Sequence, residues 1–213
     1  IIDKQAIKEF LADLNYPLYF MDFETFQPAV PMFDNSKPYQ QIPFQYSLHY
    51  KKNKKSKVDH FEFLAEAGAD PRIKFIENLL RDTKGEGDIL TYNKSFEVLR
   101  LKEIADAFPK YKTEIEERIN RVKDLMLPFQ KKYYYTYKMQ GSYSIKYVLP
   151  ALIPELSYEK LEINEGGLAS IAFESLYYET DLMRIADTRT NLMEYCKLDT
   201  FAMVKLLEKL ESL

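Results

Sequence analysis

Tryptophan is absent from this sequence, cysteine occurs once, histidine twice, and glycine only six times in 213 residues. Each shortage excludes something. A lone thiol, Cys196, can neither close an intrachain disulfide nor build a cysteine-based zinc site, which fits a reducing, cytoplasmic setting. So few glycines exclude a linker-like or low-complexity chain. No apolar run has the length of a membrane span, so no membrane partner is expected. The opening residues Ile1-Ile2-Asp3-Lys4 carry neither Met nor a signal-peptide pattern and read as the start of an excised piece. A strong positive balance is missing too. With a formal net charge of -3, any contact with nucleic acid must be local rather than driven by bulk electrostatics.

What is present is core-forming material: 46% hydrophobic residues, with 17 Tyr and 14 Phe, in a length suited to one domain spanning residues 1–213. A short amphipathic helix comes first, with Ile7, Phe10, Leu11 and Leu14 at helical spacing. Three strand-like stretches follow, Leu18 to Phe26, Phe44 to Lys51 and Val58 to Leu64. The lysine-rich segment Lys51 to Lys57 marks a solvated hairpin turn between the second and third. A long loop with Pro28, Pro31, Pro38 and Pro43 separates the first two.

Pro71 then opens a helix carrying Ile73, Phe75, Ile76, Leu79 and Leu80, and a short apolar strand, Asp88 to Tyr92, follows the Gly85-Glu86-Gly87 break. A helix is expected from Lys94 to Phe108, another from Ile115 to Leu127 turning into a short strand, and further helices from Ser144, over Ala169 to Tyr178 and over Thr190 to Leu213. This order is that of an RNase H-like α/β fold: a mixed sheet of three antiparallel strands and then parallel ones, flanked by helices.

Three acidic motifs stand out against this frame. Asp22 and Glu24 alternate on the first strand, so both point to one face while Met21 and Phe23 point to the other. Two carboxylates so placed repel, and are costly in an aromatic strand without a cation, unless that face is a solvent-facing edge. Glu97 lies in the first turn of a helix that Ser95 can cap, at the head of a stripe with Leu101, Ile104, Ala105 and Phe108. Complementing the helix dipole is the simpler reading of such an acid. Asp199 takes a slot in the apolar stripe of Leu192, Cys196, Met203, Leu206 and Leu210, with Tyr195 one turn earlier on the same face. A backbone donor or an Arg can also satisfy a buried acid.

Together, a strand pair, an acid at a following helix start and an acid on the C-terminal helix make the oxygen-rich set that two divalent cations require for in-line displacement at phosphorus. The motifs resemble those of the DEDD exonuclease superfamily, which includes polymerase proofreading domains: D-x-E in Asp22-Phe23-Glu24, N-x-x-F-D in Asn93 to Glu97, and Y-x-x-x-D in Tyr195 to Asp199. The resemblance implies that Asp22, Glu24, Glu97 and Asp199 hold two Mg²⁺ or Mn²⁺ ions, that Tyr195 helps activate the attacking water, and that the reaction is 3′ to 5′ exonucleolytic hydrolysis of nucleic acid. Glu97 departs from the usual Asp of the second motif, which leaves direct or water-mediated ligation open. Glu194 stands where a histidine subclass would need His, so Tyr195 indicates the tyrosine subclass. The stretches Tyr19 to Tyr50, Gly141 to Lys146 and Glu165-Gly166-Gly167 are similar to a bacterial family whose domain lies C-terminal to a RecB-like nuclease region, implying such a region as a partner in the parent chain.

Weaker candidates accompany these. Asn93 and Gln45 are candidate substrate contacts, with Gln40 and Gln41 beside the latter. The run Lys131-Lys132-Tyr133-Tyr134-Tyr135 mixes cations with stacking faces, which suits a single strand or a 3′ end, although tyrosine-rich segments are also good β formers. Asp124 is a candidate for the metal vicinity or for capping. Gly166-Gly167 suits a phosphate cradle or a tight turn. Two other functions stay open: a nucleic-acid-binding or assembly module of a larger nuclease with weak or no turnover, and a small-phosphodiester hydrolase.

Overall fold

The computed structural model describes residues 1–213. After helix α1 (Lys4–Ala12), strands β1 (Leu18–Phe26), β2 (Ile42–Lys51) and β3 (Val58–Leu64) form an antiparallel meander. Helix α2 (Arg72–Asp82) leads to β4 (Asp88–Thr91), helices α3 (Ser95–Ala107) and α4 (Lys112–Asn120) lead to β5 (Val122–Asp124), and β4 and β5 add in parallel to the other edge of β1. The result is a mixed five-stranded sheet in the order β3-β2-β1-β4-β5, with β1 at its centre. The remaining helices are α5 (Leu127–Gln130), α6 (Ile145–Leu152), α7 (Gly166–Ser175) and the long α8 (Leu182–Glu211). None of the helices is long and apolar enough to cross a membrane.

Strand alternation sorts the core into two clusters on opposite faces of the sheet. Tyr19, Met21 and Phe23 pack with Phe75, Leu79, Leu101 and Ile115 from α2, α3 and α4. Leu18, Phe20 and Phe26 pack with Val148, Phe173, Leu192, Met203 and Leu207 from α6, α7 and α8. Asp22 and Glu24 share the parity of Leu18 and Phe20, so they face α7 and α8, as the alternation of β1 predicts. That face is covered, and the solvent-edge alternative for the acid pair is excluded because β1 is flanked by β2 and β4.

Several boundaries differ from the sequence expectation. The helix expected from Ile115 to Leu127 stops at Asn120, and β5 occupies Val122–Asp124. Parallel pairing with β4 is a tertiary event that helical periodicity cannot show. Helix α7 begins at Gly166, so the glycine pair lies inside its first turn, and α8 begins at Leu182, where Asp181 accepts hydrogen bonds from the Met183 and Arg184 amides. Ser95 does not cap α3; it is the first helical residue, and its hydroxyl donates to Asn93 Oδ1 at 2.8 Å. Lys51 is no part of the solvated turn. It ends β2, buried, with its ammonium 2.8 Å from Glu208. The tyrosine-rich run adds no strand to the sheet: Tyr134 makes one isolated bridge with Ile2.

Candidate metal centre

Three elements converge on one cleft of about 250 Å³, lined by Asp22 and Glu24 from β1, Glu97 from α3, and Tyr195 and Asp199 from α8. The local reasons are simple. Strand β1 runs under α8 and puts its even positions against that helix. The turn after β4 is held by Asp124, whose carboxylate accepts from the backbone amides of Asn93, Lys94 and Met126 at 2.9–3.2 Å. Asn93 takes a positive φ of 80° there, a backbone state asparagine tolerates well, and the turn delivers Glu97 to the cleft. Asp124 therefore positions the second motif from behind, as a capping role anticipates.

All four carboxylates are held above their ordinary range. Burial pushes Asp22 and Glu24 well up, and the charge of Asp199 adds to both. Glu97 is pushed up to about 8, by burial and then by the charge of Asp124. Asp199 is raised by burial to about 6, restrained by hydrogen bonding from Tyr158, the charge of Lys146 and hydrogen bonding from Tyr195. Asp22 keeps an opening to the cleft, whereas Glu97 is only 1% exposed and its Oε2 has no hydrogen-bond partner. A buried carboxylate oxygen without a donor is costly, and a divalent cation would relieve that cost.

Cys196 also lies close. Its Sγ, one Asp22 carboxylate oxygen and one Glu24 carboxylate oxygen fall within 4.8 Å of one another. Burial and the surrounding acids hold the thiol well above its usual range, and it points at the Asp22 carbonyl oxygen at 3.8 Å. Tyr195 is buried, and burial together with the charges of Asp199, Glu24 and Asp22 raises its phenol far beyond neutrality. At neutral pH its hydroxyl is therefore uncharged.

Two residues at the site, one lining the cleft and one bonded to a lining acid, were missed from the sequence. Tyr158, in the loop between α6 and α7, donates its hydroxyl to Asp199 Oδ1 at 2.6 Å. Nothing in the local sequence marks it. Lys146, in the first turn of α6, lines the cleft, and its positive charge favours ionised Glu24 and Asp199; it falls within the Gly141 to Lys146 stretch but no periodicity singles it out. The first turn of α7 also faces the cleft, since a methyl on Gly166 would lie 3.6 Å from Glu24 Oε2.

Of the weaker candidates, Asn93 lines the cleft. Gln45 does not: it is buried opposite Glu24 on β2 and donates its amide to the Leu192 carbonyl at 2.8 Å. Lys131 lies beside α1 with Ala6 and Phe10, and Tyr134 packs against the core beside Phe129, because the run pairs with the N-terminus; neither of these nor Lys132 lines the cleft. Gln40 and Gln41 are likewise spent elsewhere, on the Lys37 amide and on Arg100. His49 and His60 sit apart, joined through Ser47 and Thr200, and burial lowers them to about 3 and about 4.

Fold and site together define an α/β domain with a mixed central sheet and a buried acidic cleft at its centre. The chain belongs to the family described as a domain of unknown function, DUF2779, whose model matches residues 19–144. That match contains Asp22, Glu24 and Glu97 and ends before Tyr158, Tyr195 and Asp199. Among curated proteins, the chain is 27% identical over 203 residues to an uncharacterized Mycoplasma pneumoniae protein, the MG366 homolog, covering 87% of this chain and 31% of that protein. It is 28% identical over 238 residues to the uncharacterized Ureaplasma parvum protein UU173, covering 94% and 32%. The chain thus spans about a third of the length of these relatives. No solved structure matches it.

Proposed function

We propose that this domain is a metal-dependent 3′ to 5′ exonuclease with an RNase H-like fold, of the DEDD type and tyrosine subclass. The observation that carries the reading is the convergence of four carboxylates from β1, α3 and α8 on one cleft, with Glu97 Oε2 buried and unpartnered. Asp22, Glu24, Glu97 and Asp199 would hold two Mg²⁺ or Mn²⁺ ions. Bound there, such ions supply a nucleophilic water at neutral pH and offset the charge that develops on the phosphate.

The chain's own residues do the rest. Tyr158 and Tyr195 favour ionised Asp199, Tyr195 as a neutral hydroxyl orients the attacking water, and the Lys146 ammonium draws the substrate's phosphate to the Glu24 side. The amides that open α7 beside Glu24 add a positive helix end to that wall. Asn93 is placed to contact the terminal nucleotide.

The test is incubation of the protein with end-labelled single- and double-stranded DNA and RNA in Mg²⁺ or Mn²⁺, with product lengths resolved on a gel. Stepwise loss of nucleotides from the 3′ end is expected, abolished by Asp22→Ala, Glu24→Ala or Asp199→Ala in protein that still folds. Inactivity of the wild type on all four substrates would leave a binding module, and release from a small phosphodiester alone would leave the narrower hydrolase.

A further inference from the structure

Charge in this chain is not evenly spread. Between residues 131 and 147 there are lysines at 131, 132, 138 and 146 and no Asp or Glu, although the whole chain is net negative. The same segment carries Tyr137, Tyr143 and Tyr147, which are 80%, 45% and 44% exposed, whereas Tyr133, Tyr134 and Tyr135 pack against the core. None of the three exposed rings belongs to either core cluster, so packing gives them no role.

Position gives them one. Tyr143 and Tyr147 flank Ile145 and Lys146, the two residues of the segment that line the acidic cleft. The Tyr143 carbonyl accepts the hydroxyl of Tyr92, itself a lining residue, at 2.7 Å, which fixes the segment to the cleft rim. Met139 anchors the far end in the core, and the turn it belongs to, Tyr137–Met139, holds Tyr137 and Lys138 outward.

We propose that Tyr137, Lys138, Tyr143 and Tyr147 form a track that holds a single-stranded nucleic acid by base stacking and phosphate contact and delivers its end past Lys146 into the cleft. The inference rests on the nuclease reading for the cleft and adds the substrate class. Stacking on aromatic side chains is open to any sequence, because every base has a π-face, and isolated lysines supply the charge that the chain as a whole lacks. A duplex keeps its bases stacked internally and gains nothing from these rings.

Binding is measured by fluorescence anisotropy in EDTA, so that no turnover is needed, with three labelled 12-mers: single-stranded, duplex and abasic. The single strand is expected to bind most tightly. Tyr143→Ala with Tyr147→Ala should weaken it by at least about 5-fold, from the usual contribution of a stacked base. Tyr178→Ala, at a still more exposed tyrosine beyond the end of α7, should leave it unchanged. The track is overturned if the abasic strand binds as well as the normal one, if the duplex binds best, or if Tyr178→Ala weakens binding as much as the paired variant. Loss of hydrolysis with a normal binding pattern would instead remove the nuclease reading while leaving the track.

Discussion

The hydroxyl of Tyr158 donates to Asp199 Oδ1 at 2.6 Å, so a residue from the loop between α6 and α7 holds the acid of the C-terminal helix. The bond reaches across 41 residues of chain and ties that loop to the cleft. It favours the ionised form of the acid, which lines the shared pocket.

Tyr158→Phe removes that donor, so the Asp199 carboxyl should rise above its present value of about 6. If the ionised acid is the working form, the acidic limb of the pH–rate profile should move to higher pH, with activity at pH 6 falling further than activity at pH 8. A hydrogen bond to a charged group is worth roughly 1.5–3 kcal/mol, so a loss of about 10-fold or more is expected at the acid end. A uniform fall across the whole profile would make Tyr158 a packing residue only.

Tyr195→Phe keeps the ring in the core and removes only the hydroxyl. Turnover should fall by roughly 10–100-fold, the usual scale for one positioned orienting group, while metal still stabilises the protein. An unchanged rate would confine Tyr195 to packing.

Four acids crowding one cleft repel when no cation is bound, so divalent ions should stabilise the fold. At ten times the dissociation constant, one site adds about 1.4 kcal/mol, which for this size corresponds to a rise of roughly 3–6 °C in Tm. Mn²⁺ is expected to act at least as strongly as Mg²⁺. Asp22→Asn should raise the Tm of the metal-free protein and blunt the response to metal. Equal metal-induced shifts in the two proteins, measured by calorimetry, would place the ions somewhere else.

The metal response should depend on pH in a defined direction. Asp199 and Glu97 are raised in the fold to about 6 and about 8 from ordinary values of 3.8 and 4.5. Raised folded values mean that their contribution to metal-free stability is full below about pH 4 and is lost as pH climbs through 6 and 8. Cations compete with the same protons, so the Tm difference between metal-saturated and metal-free protein should grow from pH 5 to pH 8. His49 and His60, lowered to about 3 and about 4, act oppositely: their contribution is full above about 6.5 and is lost as pH falls. They are present in both states and cancel in the difference. A metal response that is flat over this range would contradict the site.

The sequence by itself determined the parts of this protein that depend on local periodicity. Alternation in Leu18–Phe26 placed Asp22 and Glu24 on one face, and the spacing of Leu192, Cys196 and Met203 placed Tyr195 and Asp199 on the buried side of α8, because side-chain direction follows from backbone period alone. Pairing and loop closure lie outside that reach. Only the tertiary structure decided where the short strand expected after α4 begins, since Val122–Asp124 is fixed by its ladder with β4, and that Gln45 turns to the Leu192 carbonyl instead of the cleft. Tyr158 and Lys146 reach the cleft from α6 and the loop after it, whose course is set by packing against α8 and not by any repeat in the chain. The same holds for the tyrosines. The packing of Tyr133, Tyr134 and Tyr135 follows from how these residues pair with the N-terminus, a contact between segments more than 130 residues apart.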